Sequence, residues 1–408
     1  MILARLLSRV ITSGRLRVID ARGRVRSFGD PNAEPIVIRL HDHAVQRKLL
    51  LSPALAFGEA YMDGRLTIEE GDLRGLIDLY TRNDPDCITH PLGRAANWLS
   101  VALRRLQQYN PVHRAQANVA HHYDLSGALY DLFLDADRQY SCAYFQDPND
   151  SLETAQANKK RHIASKLRLA PGQRVLDIGC GWGGLGLYLA DIADAEVTGI
   201  TLSSEQLETA NRRSREAGLD KRARFFRRDY RDETGRYDRI VSVGMFEHVG
   251  VGHFSEYFDK VRELLAEDGV FLLHSIGRMG PPGNTNAWLR KYIFPGGYSP
   301  ALSETLAAVE KAGLWVTDIE ILRLHYAETL RHWHDRFLAN RDKVRALYDE
   351  RFCRMWEFYL VGCEYAFRNW DQMVFQIQIT RKPDAVPLTR DYMVDWERAQ
   401  SGLSAAAQ

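Results

Sequence analysis

Apolar and polar positions change rhythm along this chain near residue 170. Before that point, short apolar runs at 16–20 and 35–40 predict strands, and residues 49–62 carry apolar side chains at helical spacing. The segment 110–117 holds a proline among polar residues and is a candidate linker. Residues 118–170 read as helical, with a break near 147–150. Beyond 170 the pattern becomes regular. Strands are expected at 174–178, 195–200 and 223–228, with helices at 184–192 and 203–217 between them. Strands at 239–243 and 270–274 flank a helix at 254–266. Later strands are expected at 315–324 and 374–381, and the stretch between them, 327–369, reads as helices rich in aromatic residues. Alternation of this kind predicts an α/β fold with a mostly parallel, doubly wound sheet. The division expected is a small α+β N-terminal domain over 1–110 and a larger domain over 118–408.

Composition narrows the class. At about 150 residues per domain, 408 residues suggest two or three domains. With 45% hydrophobic and 26% charged residues, the chain is globular rather than disordered, collagen-like or a disulfide scaffold. There is no internal repeat and no low-complexity tract. A formal net charge of +1 gives no reason to expect a nucleic-acid partner.

The charge is unevenly spread. Residues 1–120 hold 17 Lys/Arg against 12 Asp/Glu, and the remainder 37 against 41. Residues 1–28 hold seven Arg and one Asp. A basic, partly apolar start (MILARLLSRV) suits an anionic membrane surface; it equally suits a helix that docks on its own domain. No apolar run reaches the roughly 18 residues needed to span a bilayer. Arg5 and Arg9 interrupt the apolar start, so no secretory signal is expected. The cysteines (Cys87, Cys142, Cys180, Cys353, Cys363) are scattered without a C-x-x-C pair. Neither a zinc site nor a disulfide framework is expected, and a reducing cytoplasm fits. His121–His122 and His41-x-His43 lack the spacing and further ligands of a metal site.

The strongest local signal is VLDIGCGWGG at 175–184. Strand, glycine turn and helix place backbone N–H groups at a helix start, beyond the carboxyl end of the first strand. Open α/β sheets bind nucleotide-like ligands there. Gly179, Gly181 and Gly184 satisfy the dinucleotide spacing. Asp177, Gly179, Gly181 and Gly183 satisfy the S-adenosylmethionine spacing D-x-G-x-G-x-G. Both patterns favour an acid at the end of the second strand, where this chain has Gly199-Ile200-Thr201. Thr201 and Gln206 are neutral substitutes.

Further runs decide between them: HHYDLSGALYDLFLD (121–135), QYSCAYF (139–145), DRIVSVGMFEHVG (238–250), FLLHSIG (271–277) and RKYIFPGG (290–297). Together with the glycine loop they closely resemble the bacterial cyclopropane-fatty-acyl-phospholipid synthases, and the mycolic acid cyclopropane synthases are similar. The resemblance covers about 118–382; the N-terminal part resembles the extra domain of the phospholipid enzymes in size and position only. It implies the seven-stranded Rossmann-like methyltransferase sheet and S-adenosylmethionine as donor. The implied acceptor is a cis double bond in the acyl chain of an unsaturated phospholipid, and the product a cyclopropane ring.

An alkene is a weak nucleophile, so the sulfonium methyl must be held close and aligned. Transfer leaves a carbocation, which a base must deprotonate. The resemblance implies bound bicarbonate as that base, cradled by Cys142, Glu247, His274, Ile276 and Tyr326, the last resting on the shorter match HYAETL (325–330). Donor contacts implied in the same way are Tyr140, Ser141, Gly179, Gly181, Thr201, Gln206 and Tyr230. Tyr123 matches a pocket tyrosine. In isolation each has a plain reading: Cys142 as a small buried residue, Glu247–His248 as a surface pair. A Cys142 nucleophile with His274 as base has no other support. The acyl chain calls for an apolar tunnel, for which 291–295 and the aromatic helix around 356–365 are candidates; both equally suit a core. A methyl-branched or methylene product on the same scaffold is the alternative. A cytoplasmic, peripherally membrane-bound homodimer is what the resemblance implies for location and assembly.

Overall fold

The computed structural model describes residues 2–83 and 127–406; side chains are described for 3–83 and 127–400. The candidate linker, His121–His122 and Tyr123 lie outside the described residues. Within them the chain forms two compact units.

The larger unit comprises 127–283, 296–326 and 373–406. Its centre is a seven-stranded sheet in the order β10-β11-β9-β8-β5-β6-β7. The strands are β5 (Arg174–Ile178), β6 (Glu196–Thr201), β7 (Ala223–Arg227), β8 (Tyr237–Val243), β9 (Leu265–Arg278), β10 (Trp315–Ile321) and β11 (Gln372–Thr380). Strands β7, β6, β5, β8 and β9 pair in parallel, and β10 pairs antiparallel with β11. The order turns at β5, whose neighbours are β6 and β8. That topological switch opens a crevice at the carboxyl ends of β5 and β8.

Period-two alternation splits the central strands between two cores. Leu176, Ile178, Phe271 and Leu273 join one buried cluster with Phe375 and Ile377. Val175, Val241 and Leu272 join the other, with Leu185 and Leu189 of the helix Gly184–Ala193. Strand β11 alternates Phe375, Ile377 and Ile379 with Gln376, Gln378 and Thr380. Such a pattern ordinarily marks one solvated face, yet all six are buried. The polar face is covered by the helix Leu152–Leu167. Gln378 Nε2 donates to the Lys166 carbonyl (2.6 Å) and Lys166 Nζ donates to Gln376 Oε1 (2.7 Å).

The expected helical reading of 118–170 is corrected in part. Helix occurs at Gly127–Tyr130 and Leu152–Leu167, while 131–151 is turns and loop. The cause is local polar chemistry. Asp135 accepts from the backbone N–H groups of Asp137 and Gln139, and Asp150 from those of Gln146 and Asp147. Aspartates that bond nearby backbone favour turns over helix. Ser151 then caps the helix by accepting from the Thr154 N–H.

The smaller unit comprises 2–83, 284–295 and 327–372. Its four-stranded sheet has the order β2-β1-β3-β4, from β1 (Arg15–Ile19), β2 (Val25–Gly29), β3 (Pro35–Leu40) and β4 (Leu66–Glu70). The helix expected over 49–62 is two helices, His43–Leu51 and Pro53–Met62, because Pro53 starts the second at its first turn. The amphipathic start forms the helix Ile2–Val10. Its apolar stripe (Leu3, Leu6, Leu7) packs on this unit's own core, leaving Arg5 and Arg9 exposed. The aromatic stretch 327–369, expected as an insertion within the second domain, clusters with the first. Helix Glu350–Asn369 packs on Pro53–Met62 and Leu73–Asn83. At the junction Gly58 has no Cβ, and one placed there would sit 2.5 Å from the Trp288 ring; Trp288 in turn meets Phe358 edge-on at 4.8 Å. Trp356, Tyr359 and Leu360 are buried, so this helix is core.

Leu273 is fully buried between β8 and β11. Leu273→Ala is expected to cost about 2–5 kcal/mol, read as a lower denaturation midpoint with an unchanged slope.

Candidate active site

A cleft occupies the crevice at the switch point and encloses about 1220 Å³ of empty space, its open mouth included. Five loops build it: 138–141, 177–185, 200–206, 228–231 and 243–249. Tyr140, Ser141, Asp177, Gly179, Gly181, Thr201, Gln206 and Tyr230 all line it.

The glycine loop is shaped by β6. The Gly179 and Cys180 N–H groups both donate to the Ile200 carbonyl (2.9 and 3.0 Å), which folds the turn back over the strand end. Gly181 sits at φ +53°, and a Cβ there would meet nothing within 4 Å. Its missing side chain leaves open space for a ligand against the backbone. Gly183 acts differently. It is absent from the cleft wall and stands at the helix start, where a Cβ would lie 2.9 Å from the Ala210 Cβ. It serves packing between the loop and the helix Ser204–Glu216.

Asp177, next to last in β5, has Oδ2 buried and unpartnered. Burial pushes its carboxyl up to about 7, against the attraction of Lys159. The Thr201 hydroxyl donates to Gln206 Oε1 at 2.8 Å, making one neutral polar unit where an acid was sought. An acid does reach the cleft, one strand later. Asp229 is held by Arg231 (2.7 Å) beside Tyr230. Its signal was the RRDY run closing β7. Tyr130 meets Tyr140 (5.4 Å) and Trp182 (5.0 Å) edge-on, giving the wall an aromatic corner.

The donor loop is pinned from below by buried polar residues of the helix Leu152–Leu167. Lys159 Nζ donates to Gln139 Oε1 (2.6 Å) and Ser141 Oγ (2.8 Å). Gln156 Nε2 donates to the carbonyls of Gln139 (3.1 Å) and Ser141 (3.0 Å). Burial lowers the Lys159 ammonium to about 8, with Asp135 opposing. Sequence reasoning missed both residues, since a Lys and a Gln on a polar helix carry no local signal.

The predicted acid/base groups lie on β8, β9 and their loops. Glu247 Oε1 accepts from the Ile276 N–H at 2.6 Å, so this isoleucine contributes its backbone. Glu247 Oε2 is buried without a partner, and burial pushes the carboxyl up to about 7. His274 lies two residues before Ile276 on β9, opposite Val243 in register. Burial lowers it to about 3, with the positive charges of Lys159, Lys166 and His162 adding to the effect. His248 is half-buried and lines the cleft, and desolvation there lowers it to about 4. Glu247–His248 is therefore no surface pair.

Cys142 is buried, and its thiol donates to the Ala143 carbonyl at 3.3 Å. It lies within electrostatic reach of Lys159, as does His274. Tyr326 is buried beside His325. His325 Nδ1 accepts from the Phe145 N–H (3.1 Å), and its ring stacks on Tyr144 at 4.8 Å. Contact within the predicted cradle is direct for Glu247 with Ile276. Among the described residues no His/Cys/Asp/Glu group could hold a metal ion.

The mycolic acid cyclopropane synthetase family model matches residues 111–377, and that of a domain of unknown function matches 3–90. A cyclopropane-fatty-acyl-phospholipid synthase of Escherichia coli is 39% identical over 347 residues, covering 85% of this chain and 88% of that protein. A probable fatty acid methyltransferase of Pseudomonas putida is 39% identical over 355 residues, covering 82% and 86%. A mycolic acid cyclopropane synthase solved with SAH and CTAB superimposes with a TM-score of 0.62 at 33% identity, covering 67% of this chain and 99% of that one.

Two outcomes are expected. Gly181→Val fills the open space at the loop, so isothermal titration should show S-adenosylmethionine affinity falling by more than about tenfold. Glu247 holds a proton in the folded chain up to about pH 7 that the unfolded chain releases near its ordinary value of 4.5. Stability from this group is therefore full below pH 4.5 and declines as pH rises to about 7. Glu247→Gln removes that decline. Its melting temperature relative to wild type should rise between about pH 5 and pH 7 and then level off; parallel curves would show that Glu247 titrates normally.

Proposed function

The chain belongs to the mycolic acid cyclopropane synthetase family, and we propose that it cyclopropanates lipid acyl chains. The reaction moves a methylene unit from S-adenosylmethionine to a cis double bond of an unsaturated phospholipid. The observation that carries this reading is the buried, unpartnered Glu247 Oε2, close to the donor cleft yet not part of its wall. A methyltransferase acting on an acidic nucleophile has no need of such a group. Ring closure needs a proton removed after transfer.

Bound S-adenosylmethionine supplies the electrophilic methyl. The residues present fit it: Asp177 offers a buried acceptor to an ammonium, Thr201 and Gln206 neutral hydrogen bonds, and Tyr230 an aromatic face. Lys159 and Gln156 hold the loop that carries Tyr140 and Ser141, which limits drift of the donor relative to the alkene. Bound bicarbonate supplies the compact base. Glu247 Oε2 would accept its O–H, and His274 and Tyr326 would donate to its other oxygens. A neutral His274 does not repel a cationic chain. Aromatic faces at Tyr140 and Trp182 stabilise that chain without trapping it.

The N-terminal domain serves recruitment in this proposal. With its apolar stripe packed inward, the helix Ile2–Val10 offers Arg5 and Arg9 to anionic headgroups of the cytoplasmic leaflet. Among the described residues no helix is long and apolar enough to cross a membrane. A homodimer completes the proposal. A methyl-branched or methylene product is the second reading; the Pseudomonas putida relative is named a probable fatty acid methyltransferase.

The decisive test incubates the protein with methyl-labelled S-adenosylmethionine and vesicles of cis-unsaturated phospholipid. Label in chains with upfield ring-methylene protons supports cyclopropanation. Label in branched chains selects the second reading, and no label in lipid overturns both. Glu247→Gln should lower turnover by roughly 100-fold or more at constant donor affinity. Arg5→Glu with Arg9→Glu should weaken sedimentation with anionic vesicles severalfold and leave donor affinity unchanged.

A further inference from the structure

Behind His274 lies a chain of paired charges, buried at Lys166 and His162 and half-buried at Glu320 and Glu397. Lys166 Nζ contacts Gln376 Oε1 at 2.7 Å and also donates to Glu320 Oε2. Glu320 accepts in addition from His162 Nε2 (2.6 Å), and His162 Nδ1 meets Glu397. Two cations face two carboxylates, so the cluster is neutral as a whole. Burial opposes the charge on His162, and the bonds to Glu320 and Glu397 outweigh it and raise the imidazole above its ordinary value. At the far end, Gln376 Nε2 lies 3.1 Å from His274 Nδ1.

The donor and acceptor inventory leaves one assignment. An ammonium carries donors only, so the Gln376 atom at Lys166 must be the amide oxygen. The other end of that amide is then NH2, also a donor only. It can meet His274 Nδ1 only if that nitrogen presents its lone pair. A neutral imidazole with a bare Nδ1 carries its proton on Nε2.

We propose that Lys166 and Gln376 are positioning residues that lock His274 as the Nε2–H tautomer, so that its ring offers the anion pocket a donor. The functional half rests on the bicarbonate reading above. The opposite tautomer would turn a lone pair toward an anion. It would also compete with Glu247 Oε2 for the single O–H of bicarbonate. Burial lowers the Lys166 ammonium, and Glu320 and Asp318 oppose that; the bond to Glu320, itself held by His162, fixes Lys166 and through it the orientation of the amide.

The test measures the tautomer directly. Protein labelled with 15N-histidine is examined by long-range proton–nitrogen correlation without donor or anion. The His274 pattern is assigned by its loss in His274→Gln. Wild type should show a bare Nδ1 and a protonated Nε2. Gln376→Glu places a carboxylate at Nδ1 and should move the proton to it; Gln376→Met should give a mixture. In steady state, Gln376→Glu should raise the KM for added bicarbonate by about tenfold or more, with the KM for S-adenosylmethionine within about twofold. A merely structural role would lower the melting temperature and leave the tautomer unchanged. A wild-type proton on Nδ1 overturns the proposal, and so does an unaltered tautomer in folded Gln376→Glu. Turnover independent of bicarbonate in wild type would overturn the anion reading and the functional role with it. That failure is distinct, because the NMR pattern is recorded with no anion present.

Discussion

The larger unit depends on burying a polar helix. Leu152–Leu167 carries Gln156, Lys159, His162, Ser165 and Lys166, all but sealed from solvent. A buried ammonium is tolerated only when paired, and removing one partner of such a pair costs about 3–5 kcal/mol. Each cation on this helix therefore dictates where another segment must lie. Lys159 fixes the loop 139–141, His162 reaches Glu320 and Glu397, and Lys166 reaches Glu320 and Gln376. The stability of the fold and the geometry of the site are the same set of hydrogen bonds.

That arrangement explains the electrostatics of the cleft. Asp177 and Glu247 are both raised to about 7 by burial, and His248 and His274 are both held neutral. Near neutral pH these two carboxyls are only partly ionised, and the charges fixed in the cleft wall are Arg138, Arg228 and the Asp229–Arg231 pair. In the proposed reaction, a fully ionised carboxylate against the reacting carbon would trap the cationic chain. Fine adjustment then falls to groups one layer back, where Lys159 and Lys166 set the potential at His274.

Much of the α/β frame was legible in the chain. The strands around the glycine loop were foreseen to within a residue or two, because their apolar runs are buried on both faces and bounded by glycine and polar turns. The place of Gly181 in the cleft wall was legible because a glycine turn between a strand and a helix marks the ligand crevice of such sheets. Tyr123 and the linker fall outside the described residues. Elsewhere the rhythm misled. Residues 131–151 hold helix-compatible side chains, yet their aspartates bond local backbone and tie the chain in turns. The strand expected at 374–381 alternates apolar with polar positions, and the helix above its polar face removes that face from water.

The sequence by itself determined the sheet, the glycine turn and the identity of the chemistry-bearing side chains, because these depend on periodicity and on residues adjacent in the chain. Only the tertiary structure decided the rest. Glu247 became a carboxyl with one free oxygen because β9 brought the Ile276 N–H to the other. His274 acquired a defined lone pair because Lys166, 108 positions earlier, and Gln376, 102 positions later, meet behind it. The aromatic stretch 327–369 joined the N-terminal unit because its apolar side chains found their complement there. Burial and pairing are properties of neighbours in space, and a hydrogen bond between residues a hundred positions apart leaves no periodic trace in either one.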